Sequence, residues 1–355
     1  MRIQPIRRAA AVAAVSLAVA LTATLSVGQA PVGSSDPGAR IDSDTGELFA
    51  PKSRARLLFG AQDDPDYSVS NMFQQLHGSF VQTAFPYQPN LRLAYEQQLE
   101  TEIKSDPGSF DWLSFRGDAY LPITIDPDRM LMLGATGRMR RYDFTSSSPV
   151  PGNEDLHEFS ALLGLGWFLS EDWLMQIKFM PGVYSDLDGT LNHRDWEFFG
   201  ELTAMWRADE SFYLTFGVAA DKTFEELGAY PLFGIAWIMS ESFRIDMTLP
   251  RNVEFSWTPN ASWIWSIGVE VDGDEFNVRA PGTKQNFDVN TQEFRAYLEA
   301  TLRFNDHLGV FARGGSTLFG QYNWSADAIG GGSLADLRGT QDPAVFFEVG
   351  MGINF

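Results

Sequence analysis

The C-terminal segment of this 355-residue chain alternates strictly between two kinds of side chain. One row is wholly apolar and runs through Val345, Phe347, Val349, Met351, Ile353 and Phe355. The opposite row is mostly small or polar: Ala344, Phe346, Glu348, Gly350, Gly352 and Asn354. Because neighbouring side chains of a strand point to opposite faces, this pattern predicts a strand whose two faces meet different surroundings. Hydrocarbon on one face and water on the other would produce it.

The same alternation recurs along the chain, in segments 173–179, 196–206, 242–249, 263–271 and 291–304. Short polar links alternate with long ones; the long ones are 102–110, 145–154, 185–193, 222–228, 273–290 and 321–342. The link at Pro250-Arg251 is the exception, being short where a long one is due. Residues 91–355 are therefore predicted to form an all-β, antiparallel, up-and-down transmembrane β-barrel of about fourteen strands. Merging 242–249 with 252–258, or dropping a doubtful hairpin, would give twelve.

Tryptophan placement supports the barrel independently. Trp173, Trp206, Trp237, Trp257 and Trp263 all lie within a few residues of the short links. Indole rings concentrate at membrane–water interfaces because the ring is apolar while its N–H needs a polar partner. We therefore expect these residues to form a belt at one membrane surface.

On these residues the chain resembles bacterial outer-membrane β-barrel proteins, whose last strand alternates and ends in Phe. The resemblance implies a location in the outer membrane, contact with its lipid bilayer, and recognition of Phe355 by the barrel-assembly machinery. The hairpin formed by Pro231–Trp237 and Phe243–Pro250 also resembles one that recurs in an uncharacterised family of predicted outer-membrane barrels, a domain of unknown function. That resemblance covers about residues 90–355 and implies no activity.

The N-terminal part has a different character. Arg2, Arg7 and Arg8 precede an apolar stretch and small residues up to Ala30, which predicts a secretory signal peptide over 1–30. Residues 31–66 are rich in Pro, Asp, Ser and Gly, which predicts a disordered polar leader. Residues 67–90 fit a strand, a short helix or an internal segment equally well. The chain has no Cys, which excludes disulfides, Cys-ligated metal and a thiol nucleophile.

Charged side chains occupy the rows opposite the apolar ones, so they are predicted to face the lumen. A charge facing lipid at mid-bilayer would cost roughly 2–4 kcal/mol. The candidate lumen-lining residues are Arg116, Asp118, Arg138, Arg140, Glu197, Glu201, Arg244, Asp246, Glu293, Arg295, Glu299, Arg303 and Glu348, with Glu96, Glu100, Lys178, Glu254, Glu270 and Arg313 in the same rows. These residues would either line a water-filled path and set ion preference, or pair across the lumen and close it.

The expected function is passive: a porin-like channel for solutes or ions, or a structural barrel, without catalysis, cofactor or metal. The net charge of −20 argues against a nucleic-acid-binding surface, which would need a basic patch. If the barrel is a pore, its acidic loops would favour cations. Two alternatives stay open. One is a barrel hydrolase using His193 and Asp195, although His157 and His193 are expected to be solvated. The other is a secreted soluble β-sandwich. The acidic segments 186–189 and 272–275 are expected to be solvated turns rather than calcium sites.

Overall fold

The fold is an antiparallel β-barrel, seen in a computed structural model that describes residues 40–41, 48–49, 90–104, 108–126, 129–145, 154–170, 172–187, 190–209, 211–224, 228–240, 242–279, 286–305, 307–327 and 333–354. The predicted signal peptide, most of the leader and of segment 67–90, and Phe355 lie outside these ranges. Within the leader, Arg40–Ile41 and Leu48–Phe49 form a two-stranded sheet. In the described ranges no helix combines the length and apolar character needed to cross a bilayer.

Fourteen strands form the wall. The first seven are β1 (Asn90–Ile103), β2 (Gly108–Asp126), β3 (Arg129–Phe144), β4 (Glu154–Phe168), β5 (Trp173–Ser185), β6 (Trp196–Arg207) and β7 (Phe212–Ala220), with a 3₁₀ turn at His193–Asp195 before β6. The others are β8 (Tyr230–Ser240), β9 (Phe243–Leu249), β10 (Asn252–Asn260), β11 (Trp263–Arg279), β12 (Asn286–Arg303), β13 (Leu308–Asp327) and β14, in two segments, Ser333–Gln341 and Ala344–Asn354.

Each strand pairs with its neighbour in sequence, and β14 closes the barrel on β1 from Asn90↔Asn354 to Gln98↔Phe346. The break in β14 coincides with Pro343, which has no N–H for the ladder. Opposite the break, β13 passes from its pairing with the second segment at Thr317 to its pairing with the first at Gly320. The prediction of about fourteen strands is confirmed, and twelve is wrong because the short link at Pro250-Arg251 does join two separate strands.

The apolar rows face outward. Ile267, Leu298, Val218 and Phe198 each expose between 52% and 63% of their surface although they are apolar. The tryptophans beside the short links are exposed as well, and Trp173 stacks on Trp206 across β5 and β6. A soluble sandwich would pack these rows against one another, so the sandwich alternative is wrong.

Two predicted long links are largely strand. β11 continues to Arg279 and β12 starts at Asn286, so the predicted link 273–290 shrinks to 280–285. The predicted link 321–342 shrinks in the same way, because β13 runs to Asp327. A hairpin standing in water needs no apolar row, so alternation stops while the backbone ladder continues. Segment 272–275 is accordingly not a turn, and Glu100 is exposed at a register shift of β1 rather than facing inward.

Candidate functional site

The interior of the barrel is layered. Toward the short links, a small apolar cluster on β3 and β5–β7 contains Met130, Met132, Leu174, Met205 and Tyr213. Toward the long links, a larger and largely aromatic cluster fills the interior: Ile103, Phe110, Trp112, Tyr142, Leu156, Tyr184, Phe276, Val278, Val289 and Tyr322. Charged side chains occupy the level between them. The lumen is therefore polar in its middle. Apolar side chains cap it at the end toward the long links, which is called the outer end.

A cavity of about 250 Å³ lies in the charged layer. Its arginines are Arg92, Arg116, Arg138, Arg251, Arg295 and Arg313, and its acidic residues are Glu96, Glu270, Asp272 and Glu348. Ser114, Asn252 and Tyr297 complete the polar part of the lining. Residues of eight strands, β1–β3 and β10–β14, and of the turn between β9 and β10 thus converge on one polar chamber.

On one side of the cavity, Arg295 and Arg313 join several strands. Arg295 on β12 lies 2.9 Å from Glu96 on β1 and 3.3 Å from Asp272 on β11, and it also pairs with Glu293. Arg313 on β13 lies 3.0 Å from Glu299, 3.1 Å from Glu270 and 3.5 Å from Glu348. Each guanidinium has several donors in a planar fork, so it can serve two or three carboxylates at once.

A second cluster crosses the lumen from β3 to β11. Asp274, 1% exposed, forms ion pairs with both Arg138 and Arg140. Glu158 lies 3.0 Å from Arg138 and 3.0 Å from Lys222, which belongs to the link between β7 and β8. Burial lowers the pKa of Lys222 to about 8, although Glu158 opposes the shift. This cluster joins β3 and β4 to β11 and to the link between β7 and β8.

A third cluster surrounds Arg251 in the turn between β9 and β10. Its guanidinium lies 2.7 Å from Glu201 on β6 and 2.6 Å from Asp221, and it donates to the Tyr230 hydroxyl at 2.8 Å. Glu201 also pairs with Lys178 on β5 at 2.9 Å. The short β9–β10 hairpin is thereby tied to two more distant parts of the wall.

Most of the predicted lumen-lining residues belong to these clusters. Arg116 and Asp118 pair with each other on β2, and Arg244 and Asp246 do so on β9. Buried members include Asp118, Arg138, Arg140, Glu201, Arg244, Glu293, Arg295, Glu299 and Glu348. Glu197 and Arg303 are half-buried.

Sequence reasoning missed several members of the clusters. Arg92 and Glu158 stand in inward rows, so the period-two rule could have found them. Lys222 and Arg251 lie in links, where no periodicity gives a direction. Asp274 was assigned to a solvated turn, and that assignment is wrong because β11 continues through it.

Of the two residues of the hydrolase alternative, Asp195 has a structural role. The Asp195 carboxylate accepts from the Asn192 amide at 2.6 Å and from the Ser185 hydroxyl at 3.1 Å, and Arg279 lies 3.2 Å away. His193 is exposed. The expectation that His157 is solvated is wrong, since it is 3% exposed and stacks on Phe159.

The segment expected as an acidic turn at 186–189 is only partly described. Asp186 is buried rather than solvated and accepts from the Arg279 amide at 2.6 Å. Within the ranges that the structure describes, no group of three or more His, Asp or Glu side chains is placed to hold a metal ion.

A closed antiparallel barrel with an apolar outer face, tryptophans near its short turns and a charged interior defines an outer-membrane β-barrel protein of porin-like fold. Residues 154–353 match the model of a family described as a domain of unknown function, DUF6268. The match covers more than half of the chain, so the chain belongs to that family, as the resemblance of its hairpin predicted.

The chain is similar to several solved structures at low sequence identity. The COG4313 outer membrane channel from Pseudomonas putida F1 is 10% identical, with a TM-score of 0.42 over 77% of this chain and 97% of that one. A Pseudomonas aeruginosa FadL homologue is 10% identical, with a TM-score of 0.45 over 75% and 90%. The Pseudomonas putida toluene transporter TodX is 11% identical, with a TM-score of 0.33 over 76% and 90%. No curated protein sequence matches the chain.

Proposed function

We propose that this protein is a passive channel of the outer membrane for small ionic and polar solutes, and that its path runs through the charged cavity. The observation that carries the proposal is the cavity itself, about 250 Å³ lined by six arginines and four acidic residues. Buried ion pairs stabilise a fold little, and well-packed apolar side chains of similar volume often stabilise it more. A barrel needed only as a wall would gain little stability from a charged chamber compared with an apolar one.

The alternative is a structural barrel closed by its own ion pairs. The pairs between β3 and β11 and between β12 and β1 favour it, because each joins strands that are not neighbours. The aromatic cluster at the outer end favours it as well. A channel interpretation therefore requires that the outer end opens part of the time.

Selection in such a channel would act through lumenal charge. The six arginines of the cavity all contact carboxylates, so positive and negative charge are closely balanced there. We therefore expect weak discrimination between small cations and anions, rather than the cation preference suggested by the acidic composition.

Conductance through planar bilayers tests the proposal, with a pair of variants at adjacent positions. Ser114 lines the cavity, whereas Phe115 is on the outer face and 42% exposed. We expect discrete conductance steps from the wild type, a clear reduction in Ser114→Trp, and no change in Phe115→Trp. Absence of any current from the wild type and from both variants would leave the structural barrel as the better account.

Residence in the outer membrane and assembly through Phe355 belong to the same proposal. The outward apolar rows would contact the bilayer, and the last residue would be recognised by the assembly machinery. We expect Phe355→Ala to lower the amount of heat-modifiable barrel in the outer-membrane fraction. A variant that assembles as well as the wild type would remove the role of Phe355 and leave the channel proposal untouched.

A further inference from the structure

The outer half of β11 separates from β10 and approaches β5, while it stays paired with β12. Pairing of β10 with β11 ends at Asn252↔Glu270, and the Val271 amide makes the last backbone bond, to the Arg251 carbonyl at 2.7 Å. Beyond this point β11 approaches β5, where Asn277 pairs in parallel with Ser185. In the order of the sheet, five strands, β6 to β10, separate β5 from β11. The segment Asp272–Arg279, called the lid segment below, therefore spans the lumen above those five strands.

Side-chain contacts hold the lid segment in place. Asp274 pairs with Arg138 and Arg140, and Phe276 packs edge-on against Tyr184 with ring centroids 6.2 Å apart. At the end of the segment, the Arg279 amide and side chain contact Asp186 and Asp195. The buried Asp274 carboxylate between its two arginines is called the latch. The aromatic contact of Phe276 and the contacts of Arg279 support it.

The seam is the contact of the lid segment with β3, β5 and the link after β7, and few backbone pairs hold it. The lid segment and β5 share one backbone pair, whereas β10 and β11 share seven below the point of departure. The Asn277 side-chain oxygen is buried and accepts no hydrogen bond within the described part of the chain. Releasing the segment from β5 would break few backbone bonds, and the hairpin could keep all its pairs between β11 and β12 while moving.

Gly273 lies where the lid segment begins. A Cβ at this position would meet the Lys222 carbonyl oxygen at 2.4 Å and the Thr223 backbone at 2.9 Å. Only glycine allows this close approach between β11 and the link after β7. The seam is therefore tight in the closed arrangement although few backbone bonds hold it.

We propose that the lid segment is a gate: it closes the outer end of the cavity in the arrangement described, and it opens by separating from β5 and β3, with Asp274 as its latch. This inference rests on the proposed function and adds a regulated step to it. Asp272, the first residue of the lid segment, lines the cavity, so the closed lid segment bounds the cavity on that side. Two variants and two readouts test it.

The first experiment locks the seam. Paired strand positions lie within disulfide range, and the chain has no other Cys, so Ser185→Cys with Asn277→Cys would link β5 to the lid segment. The matched control is Asn277→Cys with Asp288→Cys, a pair within the same hairpin that leaves it free to move. We expect oxidation of the first pair to lower conductance at least about tenfold and reduction to restore it, with no change in the control. Measurable and equal conductance of the oxidised and reduced lock would overturn the gate and leave the channel standing.

The second experiment removes the latch charge and does not depend on current. Ser114→Cys places a thiol in the cavity, where a charged, membrane-impermeant thiol reagent added outside reports access. We expect Asp274→Asn to speed this labelling about tenfold relative to the Ser114→Cys background. Heat-modifiable gel mobility of each variant verifies that the barrel is folded.

The two readouts separate the two proposals. Faster labelling without conductance in any variant would support the gate and overturn passage of ions. Unchanged labelling in a folded Asp274→Asn barrel would overturn the gate, whatever the conductance.

Discussion

Leu298 offers a direct test of which face of the wall meets lipid. It is 53% exposed, and on its two sides it pairs with Ile267 and Gly314. The outward row of β12 runs from Phe294 to Leu302, and Leu298 is its central residue. A transmembrane strand needs about 9–11 residues to cross the hydrocarbon, so the centre of this row lies near the bilayer midplane. Arginine placed there would have its charge in hydrocarbon.

The expected cost of Leu298→Arg is about 2–4 kcal/mol, whereas Leu302→Arg, at the interfacial end of the same row, should cost about 0–1 kcal/mol. The first value corresponds to roughly a 30-fold to 700-fold loss in the folding equilibrium. Denaturant titrations of folding into lipid vesicles, followed by tryptophan fluorescence, would measure both variants. Equal costs at the two positions, or less than about 1 kcal/mol at Leu298, would refute the assignment of this face to lipid.

Three further predictions follow from the interior. Glu201→Gln should cost about 3–5 kcal/mol of folding free energy, measured by the same titration, because the buried Lys178 and the half-buried Arg251 lose the carboxylate that they share. Gly350→Ala should cost about 1–3 kcal/mol because its Cβ would lie 2.4 Å from a backbone oxygen and a Phe ring, whereas Gly314→Ala, with its nearest atom at 4.0 Å, should be tolerated. Raising the pH from 7 to 9 should increase the cation selectivity of the channel, measured by its reversal potential, because Lys222, with its pKa of about 8, loses its charge. Lys222→Met should abolish this change.

The fold was predictable because the alternation of apolar and polar side chains within each strand shows what its two faces contact. Val345, Phe347 and Val349 alternate with small or polar residues whether or not their neighbours are known, and the links supplied the strand number. The exception at Pro250-Arg251 was also visible in the sequence. What alternation could not show is where a strand continues above the membrane, since both faces then meet water or protein.

The interior shows more clearly what the periodicity of the sequence cannot predict. The sequence Asp272-Gly273-Asp274-Glu275 has the composition of a solvated turn, yet its backbone pairs with residues 290–293 of β12. Asp274 also contacts Arg138 and Arg140, more than 130 residues away. Periodicity gives the direction of a side chain and says nothing about its partner on the opposite wall. Which charged side chains pair across the lumen is therefore visible only in the three-dimensional structure.

The paired lumen and the channel are compatible for an energetic reason. Asp274 gains Coulomb energy from Arg138 and Arg140 and loses hydration when it is buried, so the net stabilisation of the closed arrangement is small compared with either contribution. If the lid segment moved as a unit, water would enter the seam, and the separated charges would recover hydration instead of remaining buried and unpaired. An apolar seam of the same area would lose its burial on opening with nothing to offset the loss. A buried ion-pair latch thus keeps the two arrangements within a few kcal/mol of each other, as a switch between two populated states requires.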